Sequence, residues 1–391
     1  MTGALDTAVQ LTAQGFPAFV TSNLTPDMGG LNETEVLVIN TESRHLAPQE
    51  ARERVRIATD HALGAGAQYF YKKTDSILRG NIGSELDALL CATGQETLCF
   101  MPAYPALKRY TIGGEQYMGH QPIHEAFDSN DALNPIRSSN IAHIIQQQTD
   151  RQVHPLKPDE RPGTARPGIF VYDSKTDADL ANIADTLDQN NAGAVTAGCA
   201  GFAAYLPMLA GLERKVIAPP QKAARVLVIN GSIHENSQEQ LDYVARKKTA
   251  CVFTLTKQQV TDAAYWATDT ARQWAKSVCG QAAHIPLVIR SAQSDVHTAS
   301  RKIPWSPTLS VREATQAGMQ VAANMGRMAK LLLAEGGFDA LVVFGGDTLH
   351  AILNTLGCQG VYPRDELLPG IPRSLAQLHD KQITVVSKAG S

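Results

Sequence analysis

The feature that most limits the possible folds of this chain is a regular alternation of short apolar runs with segments of helical periodicity. Parallel strands need crossover connections, so this alternation predicts mostly parallel sheets with helices on both faces. We expect an α/β fold whose units are Rossmann-like and three-layered. The predicted strands are residues 16–20, 36–40, 68–72, 97–101, 169–173, 194–197, 226–230, 250–255, 287–290, 340–344 and 383–387.

Helices are predicted between these strands. The longest begins at Ser310, where Glu313 completes a capping box, and it ends at residues 336–337.

The length of the chain predicts two domains, because 391 residues exceed what one ordinary hydrophobic core holds. The alternation breaks at residues 211–222, where two adjacent prolines follow several charged residues, and it resumes with the apolar run VLVIN. We expect an N-terminal domain of residues 1–215 and a C-terminal domain of residues 223–391. Residues 150–168, rich in proline and charge, are expected to form a long surface loop of the first domain.

Composition and charge exclude several classes of function. A hydrophobic content of 43% and a charged content of 19% are typical of a soluble globular protein. The net charge of −3 gives no electrostatic footprint for nucleic acid, and no apolar run is long enough to span a bilayer. The first residues do not resemble a secretory signal, and the 6 cysteines are scattered without close pairs. We expect a cytoplasmic protein without nucleic-acid or membrane partners, and we assign no residue to a metal site.

The segment YKKTDSILRGNIGSEL, residues 71–86, concentrates charged residues between a strand-like run and a helix-like run. Open α/β sheets build their sites in this way, at the carboxyl ends of strands. Lys72, Lys73 and Arg79 are suited to hold an anion, and an arginine grips a carboxylate with two donors. Asp75 is suited to accept a proton or to orient a hydroxyl. A solvated loop is the alternative, since most charges on such loops bind nothing.

Two strand exits in the second half lead into glycine turns. VLVIN is followed by Gly231, and ALVVF is followed by Gly345 and Gly346. Asp347 or Thr348 is expected to cap the helix after the second turn. Glycines let backbone N–H groups approach an anion, and helix N-termini favour negative charge, so both turns suit nucleotide phosphates. Ordinary βα turns also need small residues, which is the alternative. The sequence has no Walker-type phosphate loop, no GxGxxG fingerprint and no GxSxG elbow.

Several blocks of the sequence together resemble one known family. They are VINTESRHL (38–46), KKTDSILRGNIGSEL (72–86), MPAYPALKRYTIGGEQYMGHQPI (101–123), FGGDT (344–348) and SKAGS (387–391). In this order, over nearly the whole chain, they resemble the four-carbon acid sugar kinases. The resemblance implies an N-terminal domain that binds a four-carbon acid and a C-terminal domain that binds ATP. It also implies phosphate transfer to the terminal hydroxyl, with Mg²⁺ accompanying the nucleotide. The third block is most similar to the D-threonate kinases.

The resemblance also implies the site residues, position by position. On the sugar-acid side the matching residues are Arg44, Lys73, Asp75, Ser76 and Arg79. On the nucleotide side they are Ser232, Gly345, Gly346, Asp347, Thr348 and Gly390. A carboxylate needs a cation, which we assign to Arg44 or Arg79. Asp75 is the predicted catalytic residue, as the acceptor of the hydroxyl proton.

The chain departs from the family pattern at three places. Family members usually open with an apolar strand that ends in two aspartates before TGA, whereas this sequence opens with Met1 and then TGA. The family continues beyond KAGS, and its second half usually reads GSCS where this chain has Ile233 and His234. We expect ends that are trimmed relative to the family.

Other functions remain open at this point. D-erythronate or 3-oxo-tetronate kinase activity is the alternative within the family. A sugar-acid or nucleotide sensor without catalysis is favoured by the missing aspartates and opposed by the intact motif blocks. An oxidoreductase has only fold analogy in its favour. The expected partners are ATP and a small sugar acid, and the sequence allows a homodimer.

Overall fold

The computed structural model describes residues 1–28, 36–126, 136–163, 166–218, 222–232, 234–291, 311–368, 370–378 and 381–388, with the backbone alone for 311–315. The chain folds into two compact units. The N-terminal unit is Gln10–Val216, and the C-terminal unit combines Met1–Val9 with Ile217–Ser391. The domain boundaries at 1–215 and 223–391 stay predictions.

Strands and helices alternate through the N-terminal unit. The strands are β1 (Ala18–Thr21), β2 (Val36–Ile39), β3 (Phe70–Lys73), β4 (Thr97–Met101), β5 (Arg109–Ile112), β6 (Glu115–Met118), β7 (Gln121–Pro122), β8 (Val153–Leu156), β9 (Gly168–Tyr172) and β10 (Val195–Gly198). The helices are α1 (Thr2–Thr12), which begins in the C-terminal unit, α2 (Pro48–Gly64), α3 (Ile82–Thr93), α4 (Ile123–Ala126), α5 (Ile141–Gln146), α6 (Asp177–Gln189), α7 (Ala200–Ala203) and α8 (Leu206–Leu209).

The main sheet of the N-terminal unit has the strand order β3-β10-β4-β9-β8, and every neighbouring pair is parallel. In its register, Gly198 lies opposite Lys73 on one side and opposite Met101 on the other. The carboxyl ends of β3, β10 and β4 therefore meet at one edge of the sheet. Strands β1 and β2 also pair in parallel, and β5, β6 and β7 form an antiparallel meander.

Alternate residues of β4 face two different hydrophobic clusters. Leu98 and Phe100 pack in one cluster with residues of α3 and α5. Cys99 and Met101 pack in the other with residues of α6. Helices thus cover both faces of this sheet, which explains why its strands β4 and β9 appear in the sequence as continuous apolar runs.

The C-terminal unit repeats this alternation and then ends in a meander. Its strands are β11 (Val226–Asn230), β12 (Cys251–Thr254), β13 (Leu287–Arg290), β14 (Ala340–Phe344), β15 (Val361–Leu368), β16 (Ile371–Gln377) and β17 (Gln382–Lys388). Its helices are α9 (Glu235–Lys247), α10 (Lys257–Thr261), α11 (Asp269–Gln281), α12 (Val311–Gly336) and α13 (Gly346–Thr355).

Within this unit the strand order is β12-β13-β11-β14-β17-β16-β15. Along this order, each neighbouring pair among β12, β13, β11, β14 and β17 is parallel. Strand β16 runs antiparallel to both β17 and β15. The predicted α/β fold with mostly parallel sheets is confirmed. The long helix is also confirmed as α12, although Ser310 lies outside the described residues.

Three strands that the sequence did not predict, β8, β15 and β16, contain proline. Strand β8 lies inside residues 150–168, so the prediction of a continuous loop there is wrong. Pro155 is tolerated because β8 is an edge strand of its sheet. Strands β15 and β16 likewise contain Pro363 and Pro372 among charged residues. Proline and charge are typical of loops, which is why the pattern hid these strands.

Candidate functional site

The turn after β3 positions the residues predicted to bind the sugar acid. The strand ends at Lys73, and the N–H of Thr74 donates to the carbonyl oxygen of Gly198 at 2.6 Å. The N–H of Leu78 donates to the carbonyl oxygen of Asp75 at 3.0 Å and closes the turn. Leu78 has a φ of 61°, a conformation that few non-glycine residues adopt. The charged residues of this turn are therefore held at the carboxyl edge of the sheet.

Asp75 is at the centre of these charges. Arg79 binds its carboxylate with two donors, Nε to Oδ2 at 2.9 Å and Nη2 to Oδ1 at 3.0 Å. Arg44 reaches the same carboxylate from the segment after β2, with its Nη2 3.2 Å from Oδ1. Gly80, with a φ of 91°, permits this approach, since a Cβ there would lie 3.1 Å from Cγ of Arg44. The structure thus brings three of the predicted side chains into contact.

Asp75 keeps its negative charge in spite of its burial. Burial by itself raises the pKa of this carboxyl group, but the hydrogen bond from Arg79 and the charges of Arg44, Arg79 and Lys73 lower the pKa to about 2. We call Arg44, Lys73, Asp75 and Arg79 the Asp75 cluster. Three cations face one carboxylate in this cluster, so it carries net positive charge and attracts an anion.

The lowered pKa of Asp75 predicts a dependence of stability on acid. Its ordinary pKa is 3.8, so the stabilisation is fully present above that value and is lost as the pH falls through about 2. From about pH 5 to about pH 3, we expect the wild type to lose about 1 kcal/mol more unfolding free energy than Asp75→Asn does. Urea unfolding of both proteins at the two pH values measures this difference. Equal losses would show that Asp75 is not held ionised by its neighbours.

The other residues predicted for the sugar acid lie in the same turn. Lys73 ends β3, and its charge acts on the carboxylate of the cluster. Ser76 is half-buried, and its carbonyl oxygen accepts a hydrogen bond from Gln116 at 2.9 Å. Lys72, considered above as a further anion-binding cation, instead pairs with Glu85 at 2.6 Å. This lysine therefore belongs to the framework of the turn and not to the cluster.

Arg44 and Arg79 also line a cleft of about 300 Å³ in the N-terminal unit. Arg137, Gln147 and Gln148 contribute further polar side chains to it. The described residues of its lining include no acid, so this cleft suits a small polar anion.

Gln116, to which the sequence analysis assigns no role, fixes the Asp75 turn to the β5–β6 hairpin. Its side chain is fully buried, and its Nε2 donates to the carbonyl oxygens of Ser76 at 2.9 Å and Pro102 at 3.1 Å. Its Oε1 accepts from the hydroxyl of Thr111 at 2.8 Å. Gln116 lies in the motif block 101–123, but only the folded hairpin shows that it reaches the turn.

Arg109, in the same block, also comes close to the cluster. Burial lowers the pKa of this arginine, and the nearby charge of Asp75 acts in the opposite direction. The sequence offered no signal for this approach, since the two residues are 34 positions apart (109 minus 75) and the chain must return through β4 and the hairpin.

The two glycine turns of the C-terminal unit lie side by side. Strands β11 and β14 are parallel neighbours, with Asn230 opposite Phe344, so they end at the same edge of the sheet. The N–H of Gly231 donates to the carbonyl oxygen of Phe344 at 3.2 Å. A Cβ on Gly231 would lie only 2.0 Å from Oγ1 of Thr348. The structure therefore brings the turn that contains Ser232 against the GGDT turn, as expected for parallel neighbours.

The GGDT turn presents the start of α13. This helix begins at Gly346, and Gly345 precedes it with a φ of 105°. The prediction that Asp347 or Thr348 caps the helix is wrong, because no side chain of the described residues makes the capping hydrogen bond. Thr348 is buried against Gly231, and Asp347 is exposed. The N–H groups of the first turn can therefore take an outside acceptor, so these residues fit a nucleotide phosphate.

Ser232 sits in a hydrogen-bonded turn at the same edge. Its N–H donates to Oδ1 of Asn230 at 3.0 Å, and its Oγ accepts from the N–H of His234 at 3.1 Å. Lys388, at the end of β17, accepts the N–H of Gly345 at 2.9 Å through its carbonyl oxygen. Gly390 lies outside the described residues.

Two family models match the two halves of this chain. One, described as a sugar-binding N-terminal domain, matches residues 1–206, and the other, described as a nucleotide-binding C-terminal domain, matches residues 227–391. The chain belongs to the four-carbon acid sugar kinase family. Both the predicted family and the predicted enzyme class, a kinase, are confirmed.

Relatives in the four-carbon acid sugar kinase family carry different substrate names. A D-threonate kinase of Bordetella bronchiseptica is 29% identical over 409 residues, covering 100% of this chain and 92% of that protein. A D-erythronate kinase of Heliobacterium modesticaldum is 27% identical, covering 94% and 87%. A 3-oxo-tetronate kinase of Burkholderia multivorans is 24% identical, covering 100% and 92%. Family membership thus leaves the choice of acid open.

A solved structure shares the fold of this four-carbon acid sugar kinase. The crystal structure of a protein from Salmonella typhimurium LT2 matches it with a TM-score of 0.79 at 20% identity, covering 100% of this chain and 94% of that one. Among the described residues, no helix has the length and apolar character needed to cross a membrane.

Proposed function

We propose that this kinase transfers the γ-phosphoryl group of ATP to the 4-hydroxyl of D-threonate and forms 4-phospho-D-threonate and ADP. The observation that carries this proposal is an ionised carboxylate, Asp75, held by two arginines in a turn of net positive charge. A sugar acid offers a carboxylate to the cations and hydroxyls to the carboxylate. Similarity to D-threonate kinases supports the choice of acid.

Asp75 orients the hydroxyl that reacts. With a pKa of about 2 it is ionised at neutral pH and is a weak base, so it accepts a hydrogen bond before it accepts a proton. As the bond between the hydroxyl oxygen and the γ-phosphorus forms, the bond from that phosphorus to the ADP oxygen breaks. The hydroxyl proton passes to Asp75 and then to solvent. Little basicity is needed, because phosphoryl transfer depends mainly on positioning and charge stabilisation.

The remaining residues of the sugar-acid site bind and position the substrate. Lys73 and Arg44 supply positive charge at the edge of the sheet, and Arg79 holds Asp75 in its orientation. Ser76, in the same turn, is suited to hydrogen-bond a substrate hydroxyl. The position of each residue around Asp75 supports these roles.

The nucleotide site of this proposal lies in the C-terminal unit. The residues that hold ATP are Ser232, Gly345, Gly346, Asp347, Thr348 and Gly390. The uncapped start of α13 and the close packing of the two glycine turns support a phosphate there. The exposed carboxylate of Asp347 would hold Mg²⁺, which supplies charge neutralisation at the phosphates when it is bound.

The proposal extends to the organisation of the protein. Residues 1–215 form the sugar-acid-binding domain, and residues 223–391 form the nucleotide-binding domain. We also propose a cytoplasmic location and a homodimeric assembly.

Release of ADP from MgATP with a panel of four-carbon acids tests the proposed reaction. The panel contains D- and L-threonate, D- and L-erythronate and the 3-oxo acids, and we expect D-threonate to give the highest kcat/KM. A clear preference for D-erythronate or a 3-oxo acid would overturn the choice of substrate and leave the kinase in place. ATP binding without ADP release from any acid would instead support the non-catalytic sensor.

A further inference from the structure

Arg109 lies close to the Asp75 cluster, and its guanidinium group makes a single hydrogen bond among the described residues. Two backbone hydrogen bonds with Tyr104, at 3.0 and 2.8 Å, hold it at the start of β5. Its Nη1 donates to the carbonyl oxygen of Leu107 at 2.8 Å. Its Nε is buried and has no hydrogen-bond partner among the described residues. A buried donor without an acceptor costs free energy, so this group is suited to receive one from a ligand.

Backbone pairing places Arg109 beside the end of β10, because Arg109 pairs with Tyr104, and the carbonyl oxygen of the preceding Ala103 accepts a hydrogen bond from Sγ of Cys199 at 2.9 Å. Burial is the largest influence and lowers the pKa of Arg109, while Asp75 and Cys199 act in the opposite direction. Cys199 follows Gly198, which lies opposite Lys73 in the sheet. Arg109 therefore lies near the carboxyl edge formed by β3 and β10, where the Asp75 cluster is.

The hairpin that carries Arg109 is fixed to the Asp75 turn. The fully buried side chain of Gln116, on the partner strand β6, donates to the carbonyl oxygen of Ser76 in that turn. The same side chain accepts from Thr111 on β5. Because these hydrogen bonds are buried, the position of Arg109 relative to the turn is set before any ligand binds.

The arginines already assigned to the site are engaged with Asp75. Arg79 uses Nε and Nη2, the pair of donors that a bidentate contact needs, and Arg44 uses Nη2. A substrate carboxylate would compete with Asp75 for those donors. Arg109 forms no salt bridge with any described residue, and its buried Nε is unpaired.

We infer that Arg109 binds the carboxylate of the sugar acid, a role that the sequence analysis assigns to Arg44 or Arg79. Its Nε supplies one donor of the pair, and its own charge neutralises the acid. Arg79 then stays on Asp75 while the substrate is bound, and Asp75 remains directed to a hydroxyl. Arg109 thereby selects acids over uncharged four-carbon polyols. This assignment rests on the proposed function, so its test must separate the two.

Steady-state ADP release from MgATP tests this role with wild type, Arg109→Met and Arg109→Lys. The substrates are D-threonate, or the preferred acid of the panel, and D-threitol, which lacks the carboxylate. We expect Arg109→Met to raise KM for the acid about 100-fold, as when one partner of a buried charge pair is removed. Lysine cannot reproduce the two-donor contact, and we expect it to raise KM about tenfold, the effect of one charge-assisted hydrogen bond.

The matched control is Arg56→Met on α2, an exposed arginine that pairs with Glu53 and Asp60. It should leave all constants at wild-type values, and neither Arg109 variant should change turnover of D-threitol. An unchanged KM for the acid in both Arg109 variants would overturn the assignment of Arg109 and leave the proposed kinase function intact. An equal rise in KM for the acid and for D-threitol would do the same. If Arg109→Met does not fold, the result with Arg109→Lys decides. A wild type that releases no ADP with any acid overturns the proposed function, and this assignment with it.

Discussion

Replacement of Asp75 by asparagine is expected to lower kcat for ADP release about a thousandfold, because an amide cannot take the hydroxyl proton. The loss should fall on kcat, since in the proposed function the acid is held mainly by cations and ATP binds in the other unit. The uncharged side chain also leaves Arg44 and Arg79 without the carboxylate that they now share. Steady-state kinetics with the preferred acid measure kcat and KM, and titration with ATP measures the affinity for the nucleotide, which should not change.

Asp60→Asn is the control for this experiment. Asp60 is an exposed aspartate on α2 that pairs with Arg56, so its replacement removes a carboxylate without touching the site. Its kcat should match that of the wild type. If Asp75→Asn kept a kcat within about tenfold of wild type, Asp75 would lie outside the range of general-base catalysis and would act only in binding.

Introduction of a methyl group at Gly231 should damage the proposed nucleotide site. The Cβ of Gly231→Ala would lie 2.0 Å from Oγ1 of Thr348, so one of the two turns must move. We expect the free energy of unfolding to fall by about 2 kcal/mol, the usual effect of overpacking a tight contact. Affinity for ATP should fall by about tenfold, as expected when roughly one hydrogen bond to a charged group is lost. Urea unfolding and ATP titration measure the two effects.

Gly280→Ala controls for the added methyl group. Gly280 lies in helix α11 with nothing near its Cβ position, so alanine should leave stability unchanged or raise it by up to about 1 kcal/mol. A second variant, Gly231→Ala with Thr348→Ala, removes the clashing hydroxyl and should recover most of the stability. Normal stability of Gly231→Ala alone would contradict the close packing of the two turns.

The strands that the sequence predicted all take part in parallel pairing. Strands β4, β11 and β14 are surrounded by helices or other strands, so almost every position is apolar and the run is visible without structural information. Strands β8, β15 and β16 lie at sheet edges or in the antiparallel part, where proline and charge are tolerated. Local pattern cannot distinguish such strands from loops.

A similar division applies to the candidate site. Lys73, Asp75 and Arg79 are close in sequence, so their clustering on a strand exit could be predicted directly. Arg44 entered only through the family resemblance, because its contact with Asp75 depends on the path of the chain after β2. Arg109 and Gln116 reach the turn only through the pairing of β5 with β6. Contacts of this kind are set by tertiary structure, and the pattern of a single sequence does not predict them.

The place of β17 in its sheet has a consequence for biosynthesis. This strand lies between β14 and β16, so the sheet of the C-terminal unit stays divided until residues 382–388 have left the ribosome. Met1–Val9, which are made much earlier than β17, belong to the same unit and must wait for these partners. The N-terminal sheet, in contrast, has all its strands by Gly198 and can assemble during translation. Nascent chains of this kinase should therefore expose the unpaired edge of β14 to chaperones until residues 382–388 have been made.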